Sequence, residues 1–393
     1  MLRHNARVFL GISDGLMLPH AVDDQCTCMG GFWTGSIDHG CTAWVAQMMY
    51  RYYRYTMDQD FLKEVAYPFM VGAMRVYEKM LEKDGDGYVL PVSVSPEYRG
   101  AGMNAWGRNA SFQLACIHRL CEDLLEASAT LKEKPRRIWA RIVKRLPKAC
   151  LMGEKGNTEI ALWEGTPLEE SHRHHSHLAG IAPFDILDLK DAETAGLVER
   201  SLRRWLAEGP GLWSGWCVPW ASMIQTRVGN ADAAVLWLEI WRRVFTNQGH
   251  GTLHNVDFPG VSLMGGRPMG ELDKSHEIMQ MDAGMSCVAA LHELVVHERR
   301  GVTHLFSGAP AAWKDVSFRQ VRTGGAFLLS AECKQGQVGT VRITSLAGGS
   351  LRLANPWGGA ARLRLANGTE RRVTGRVLRL RVPRGEKATL TSA

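Results

Sequence analysis

Two short stretches carry carboxylates placed where they could do chemistry: VSVSPEY at 92–98 and HEIMQMDAGMS at 276–286. Glu97 follows a proline, whose ring fixes φ and stiffens the loop that holds the carboxylate. Asp282 stands where a polar, methionine-rich loop enters an apolar stretch, Ala283 to Val296. Two such groups on opposite faces of a bond can act as general acid and general base. One protonates the departing oxygen and the other activates water. For a glycosidic bond cleaved with inversion, the two stand about 6.5–9.5 Å apart, which leaves room for the water. Each residue also has an ordinary reading. A loop glutamate is usually a solvated surface residue, and an aspartate at a helix start is a good cap and dipole partner.

A third stretch, His172-Arg173-His174-His175-Ser176-His177, lies between Glu169-Glu170 and an apolar run. Three readings compete. A metal site is one, although no i, i+4 histidine pair with a nearby acid stands out. A hydrogen-bonded histidine network inside a helical core is another. The third is a row of donors for sugar hydroxyls, with Arg173 as a rigid fork. The chain has 13 tryptophans, and Trp33, Trp106, Trp163, Trp213 and Trp216 fall in loops. An indole face stacks well on a sugar ring, and its N–H can donate. The same residues serve equally well as plugs between helix ends.

The elements that must position these groups change character along the chain. Up to about residue 298 the pattern is helical. A buried helix covers Met48 to Tyr55, and a second runs from about Gln59 to Lys83 with a kink at Pro68. Asp84-Gly-Asp-Gly87 is a turn. Further helices fall near 108–130, 135–148, 192–207, 216–228, 230–246 and 282–298. The loops between them, at 20–38, 88–106, 152–178, 208–216 and 247–281, are rich in Gly, Pro, His and Trp. From about 302, short alternating runs such as Ala361–Leu365 and Val377–Val382 read as antiparallel strands. The expected division is therefore a helical domain, 1–300, and a small β-sandwich-like domain, 301–393. Helices joined alternately by short and long loops suggest an α/α toroid whose loops build a pocket at one end. A plain helical bundle is the alternative.

Composition excludes some classes. Of 393 residues, 45% are hydrophobic and 22% charged, so a sizeable core can be buried. No run approaches the roughly 18–20 apolar residues of a membrane span, and residues 1–15 lack a signal-peptide core. A cytoplasmic location is expected. Nine cysteines are scattered without a disulfide or zinc pattern, and free thiols in a reducing compartment are the simplest reading. The net charge of +7 is concentrated after residue 300, with fifteen Lys and Arg against four Asp and Glu. Those arginines alternate with leucines, as in Leu378-Arg379-Leu380-Arg381. That is the wet face of a sheet rather than a nucleic-acid patch.

Taken in order, SVSPEY (93–98), the stretch from GFWTGSIDHG to VAYPFM (31–70), HRHHSHLAG (172–180), SGWCVPWA (214–221), MQMDAG (279–284) and APAAWKDVSFRQVRTGGAFLLSAE (309–332) resemble glycoside hydrolase family 95, the α-L-fucosidase and α-L-galactosidase enzymes. The resemblance covers nearly the whole chain and is specific as an ordered set. It implies an (α/α)6 toroid followed by a small antiparallel β-domain. It also implies an inverting exo-hydrolase of terminal α-L-fucosyl or α-L-galactosyl residues that needs no metal or organic cofactor. Glu97 falls on the family's general acid and Asp282 on its general base. Arg173 and His174, with His172 beside them, fall on residues that contact sugar hydroxyls. His20-Ala21-Val22-Asp23 keeps the ends of a pocket-lining His-Asn-Thr-Asp segment. Trp33 and Trp216 are the candidate stacking indoles.

The sequence also departs from the family pattern. No counterpart is seen of an Asn-x-Asn segment that helps the base, and Ala283-Gly-Met-Ser286 replaces the usual Gly-Asn-Phe-Gly. The family's N-terminal β-domain and first barrel helix have no counterpart either. The toroid is expected to be incomplete on its N-terminal side, in a fragment or a short form that another chain could complete. A non-catalytic sugar-binding remnant and another (α/α)6 glycosidase or phosphorylase remain as alternatives. The expected partner is an oligosaccharide or glycoside, with neither nucleic acid nor membrane involved.

Overall fold

The computed structural model describes residues 1–29, 33–256, 261–264 and 278–393. His276 and Glu277, and Gly31 and Phe32 of the second motif, lie outside the described residues. The helices are α1 (Leu2–Leu10), α2 (Gly40–Thr56), α3 (Gln59–Phe61), α4 (Tyr67–Met80), α5 (Ser111–Leu131), α6 (Arg137–Arg145), α7 (Ala192–Glu208), α8 (Cys217–Arg227), α9 (Ala231–Val244) and α10 (Met281–Val295).

From α3 on, the helices fall where the hydrophobic pattern puts them, with ends displaced by a few residues. The pattern does not anticipate α1, and α2 starts well before Met48 and leaves Met48, Arg51 and Tyr52 exposed. At Pro68 the expected kink takes a particular form. A π-helical segment, Leu62–Ala66, leads into α4, and Pro68 occupies the first turn of α4. Proline has no N–H for the carbonyl four residues back, so the rod changes hydrogen-bond register there instead of ending. Local chemistry sets other boundaries. The Asp191 carboxylate accepts from Thr194 N–H at 2.9 Å to start α7. The Asp84–Gly87 turn closes a hairpin of β1 (Glu82–Asp84) and β2 (Gly87–Val89). A second small pair is β3 (Leu151–Met152) with β4 (Glu159–Ile160).

The chain forms two compact units. The first comprises Met1–Tyr50, Asp60–Cys217 and Asn255–His276; the second comprises Arg51–Gln59, Val218–His254 and Glu277–Ala393. In the first, α5 is buried on nearly every face, with Phe112, Leu114, Ile117, Leu120, Cys121 and Leu124 all enclosed. By contrast α6 buries only Trp139 and Ile142.

The second unit contains a β-sandwich. One sheet has the order β13 (Glu370–Val373), β12 (Ala361–Leu365), β15 (Lys387–Ser392), β10 (Val341–Ser345), β8 (Phe327–Lys334), β7 (Val316–Thr323), with β9 (Gln337–Val338) on β8. The other runs β14 (Val377–Val382), β11 (Gly349–Ala354), β6 (Val302–Leu305), β5 (Val296–Arg299). The strands of the sandwich therefore begin at Val296, directly after α10, rather than near 302. The β6–β11 pair is parallel. Leu329, Ile343, Leu363 and Leu390 from one sheet and Leu351, Leu353, Leu378 and Leu380 from the other form a single core. Arg362, Arg364, Arg379 and Arg381 point outward between them. Each enclosed leucine contributes about 1.5–3 kcal/mol. The alternating arginines are thus the solvated face of a sheet.

Among the described residues no helix is long and apolar enough to cross a membrane. All nine cysteines are free thiols.

Candidate active site

Glu97 sits in a run of tight turns. Tyr98 N–H donates to Ser95 O at 3.1 Å, and Gly100 N–H to Glu97 O at 2.9 Å. Glu97 and Arg99 both have left-handed φ, 60° and 61°. Side-chain-bearing residues rarely adopt that region, at a cost of order 1–3 kcal/mol each, and such strain concentrates at functional sites. Pro96 stiffens the approach, but its neighbours hold the turn. The Tyr98 ring is buried, 5.7 Å edge-on from Trp163 and 5.3 Å from His172. Its hydroxyl accepts from Glu169 N–H at 3.2 Å. The buried Ser95 hydroxyl bonds that of Ser176, tying this loop to the histidine run.

That run divides in two. His172, Arg173 and His174 converge on Glu97. Arg173 and His174 both reach Glu97 Oε2, the histidine through Nε2 at 3.0 Å. His172 Nε2–H donates to the Glu97 carbonyl at 3.3 Å, and its Nδ1 accepts from His174 N–H at 3.1 Å. Burial pushes His172 down to about 3. It is therefore a neutral ring whose two nitrogens hold Glu97 and His174 in place. His175 and His177 are instead core residues. His175 Nε2–H donates to Cys217 O at 2.9 Å and its Nδ1 accepts from Trp205 N–H at 3.1 Å. Burial holds His175 well below its ordinary value and pushes His177 to about 3. The core-network reading thus fits His175 and His177, while His172, Arg173 and His174 gather on Glu97. Among the described residues no three His, Cys, Asp or Glu side chains are grouped to hold a metal ion.

His20 comes from the His20–Asp23 loop to the other oxygen, its Nε2 lying 3.2 Å from Glu97 Oε1. Its Nδ1 lies 3.1 Å from Asp38 Oδ2. Asp38, only 3% exposed, also accepts from Gly40 N–H at 3.0 Å through Oδ1. The sequence gives little hint of Asp38's contact with His20. An aspartate two residues before a helix reads as a cap, and it does cap α2. Asp23 accepts from Gln25 and Thr27 N–H at 2.9 and 2.8 Å, so it shapes its own loop.

The tryptophans separate clearly. Trp163 and Trp213 are buried plugs. Trp33 and Trp106 are exposed, with their N–H groups on the carbonyls of Ala101 and Met103. Trp216 is half-buried, its ring 5.4 Å from that of His174. Asp282 is an exposed residue in the first turn of α10, where Gln280 occupies the cap position without a side-chain bond. Glu97 belongs to the first unit and Asp282 to the second. A groove of about 530 Å³ beside α6 is lined by Lys83, Arg141, Lys144, Arg145 and Tyr88, with Asp86 as its acid. It offers cations rather than a carboxylate held among donors.

Residues 2–295 match the model of the glycosyl hydrolase family 95 catalytic domain. The chain belongs to glycosyl hydrolase family 95. Among curated proteins, it is 26% identical over 306 residues to the alpha-L-fucosidase 2 of Arabidopsis thaliana. That alignment covers 75% of this chain and 34% of the relative, so the chain spans about a third of that protein's length. Among solved structures, a putative kojibiose phosphorylase from the human microbiome superposes with a TM-score of 0.54 at 12% identity, over 98% of this chain and 55% of that one. A Streptomyces avermitilis alpha-L-rhamnosidase complexed with L-rhamnose gives a TM-score of 0.49 at 14% identity, over 99% and 36%. The fold class is thus mainly α, of the (α/α)6 type, with a C-terminal antiparallel β-domain.

Proposed function

We propose that this family-95 chain hydrolyses terminal α-L-fucosyl or related α-L-galactosyl residues with inversion. In this reading Glu97 is the general acid and Asp282 the general base. One observation carries it: a single loop glutamate, in a strained backbone conformation, whose two carboxylate oxygens meet His20 on one side and Arg173 with His174 on the other. Such a carboxylate is positioned far more firmly than a surface residue needs. Sugar hydroxyls would draw on Arg173 and His174, and the Trp216 ring beside His174 offers an apolar face for the sugar. Glu97 would protonate the glycosidic oxygen while Asp282 takes a proton from water on the opposite face.

The test is hydrolysis of aryl α-L-fucoside and α-L-galactoside by the full chain, with product configuration followed by NMR. Inversion, together with loss of turnover in Glu97→Gln and in Asp282→Asn, is expected. Retention, or undiminished rates in both variants, overturns the scheme.

A second reading has its own observation. Asp282 is exposed in the first turn of α10, where an ordinary helix-start acid would sit. A non-catalytic sugar-binding protein would need only the Glu97, Arg173 and His174 donors and acceptors. Calorimetric binding of L-fucose without turnover of any fucoside would favour it.

A further inference from the structure

Asp38 fixes one end of the His20 ring. A carboxylate has no proton to give, so His20 Nδ1 carries one and donates it to Asp38 Oδ2. The opposite nitrogen, Nε2, faces Glu97 Oε1 at 3.2 Å. That contact needs exactly one proton between two acceptors, held either on Nε2 or on Oε1. His20 and Glu97 therefore share a proton, and Asp38 anchors the arrangement from a buried position, itself held by Gly40 N–H.

We propose that Asp38 and His20 form a proton relay that loads Glu97, with the shared proton passing from His20 Nε2 to Glu97 Oε1 before Glu97 gives it to the departing glycosidic oxygen. The proposal rests on reading Glu97 as the general acid. The step balances. The His20 Nε2–H bond breaks as an O–H forms on Glu97 Oε1. The Glu97 O–H bond then breaks as the leaving oxygen gains that proton. Neutral His20 keeps Nδ1–H and takes its next proton from water, which its 20% exposure permits. Sugar binding favours the transfer. When hydroxyls recruit Arg173 and His174, Oε2 loses its donors while Oε1 keeps His20. His20 and Asp38 are positioning residues here, since they act through Glu97.

The groups facing His20 are Asp38, Glu97, Arg173, Cys28 and Cys41, whose thiol lies 3.6 Å from the His20 carbonyl. The Asp38 hydrogen bond, and then its charge, raise His20 above its ordinary 6.5, against burial and Arg173. His20 thus carries the relay proton at low pH and loses it as pH rises through that raised value. The relay should fail on the alkaline side.

The experiment compares wild type, Glu97→Gln, His20→Gln and Asp38→Asn in the full chain. Two readouts are used: pH profiles of kcat on methyl and dinitrophenyl α-L-fucosides, and nitrogen-15 NMR titration of His20. Asp38→Asn should move the alkaline limb to lower pH. His20→Gln should lower kcat about 10²-fold on the methyl glycoside and far less on the dinitrophenyl one, whose leaving group needs no proton. The His20 titration should fall in both Asp38→Asn and Glu97→Gln. If Glu97→Gln loses methyl-glycoside turnover while Asp38→Asn and His20→Gln keep the wild-type limb, the relay is wrong and the acid assignment stands. If Glu97→Gln turns over the methyl glycoside normally, both fall. A merely structural Asp38 would lower Tm and leave the limb in place. A His20 titration indifferent to Glu97 overturns the relay even without turnover.

Discussion

Arg173 with Glu97, and Arg227 with Glu293, join the same two functional groups in two different settings. Arg227 and Glu293 project from helices α8 and α10, and both are nearly buried. They meet as a two-pronged fork, Nε to Oε2 at 2.9 Å and Nη2 to Oε1 at 2.6 Å. A third nitrogen of Arg227 donates to Glu298 O at 2.7 Å. Burial pushes Glu293 upward, but the charge and hydrogen bonds of Arg227 outweigh it and hold the carboxyl below its ordinary value. Arg173 and Glu97 project from loops. Only one arginine nitrogen reaches the carboxylate, two histidines share it, and the glutamate backbone is left-handed. The first pair is closed and saturated. The second has donors that a ligand can borrow, on a backbone that folding alone would not select. A fork between regular helices serves structure, whereas a shared, strained carboxylate is what the proposed acid role calls for.

Exchanging each glutamate for its neutral isostere tests that difference most strongly. Glu97→Gln should cut turnover of a poorly activated α-L-fucoside by roughly 10²–10⁴-fold, with the thermal midpoint almost unmoved. Glu293→Gln should do the reverse. It leaves a buried guanidinium without its partner, which costs about 3–5 kcal/mol, while kcat per folded molecule stays near wild type. Urea titration and steady-state kinetics on the same preparations decide it. A stability loss at Glu97 as large as that at Glu293 would erase the distinction.

These expectations depend on what could be seen in the sequence and what could not. Ordered motifs pointed to Glu97, Arg173, His174 and His20, which the fold brings to one cluster. Strands such as Ala361–Leu365 were legible because alternation is a two-residue period that burial enforces. The split of the histidine run after His174 was not, because a loop has no period to assign faces. Asp38 hid behind its second role as a cap. Pro96 signalled a stiff loop, but nothing in a proline fixes the sign of φ at the next residue. Arg227 and Glu293 lie 66 residues apart, and ordinary helical charges offer no cue to such pairing.

Geometry, rather than charge alone, should matter more at one pair than at the other. Arg173→Lys keeps the cation but replaces a planar fork with a flexible ammonium. Losing one charge-assisted hydrogen bond, about 1.5–3 kcal/mol, should raise KM or lower kcat by tenfold or more. Little change in the urea midpoint is expected.

Acid should separate the pairs as well. A carboxyl held below its ordinary value contributes stability above that value, 4.5 for Glu293. The contribution is lost as pH falls toward the depressed folded-state value. The wild-type urea midpoint should therefore drop on acidification below about 4.5. In the double variant Arg227→Met with Glu293→Met, the drop should be shallower. Parallel curves would mean that the fork contributes nothing to acid sensitivity.

The smallest expected effect is the most specific, because it reads backbone conformation alone. Comparing glycine with alanine at one position removes the glutamate in both variants and leaves only the Cβ. At Glu97, with φ at 60°, a Cβ is strained, and Glu97→Gly should be more stable than Glu97→Ala by about 1 kcal/mol. At Glu293, inside α10, glycine gives up helix propensity, and Glu293→Gly should be less stable than Glu293→Ala by about 1 kcal/mol. The two differences have opposite signs, so errors common to both pairs cannot produce them. The same sign at both positions would show that the Glu97 loop relaxes in solution. The carboxylate would then be held by its three side-chain partners rather than by its turn.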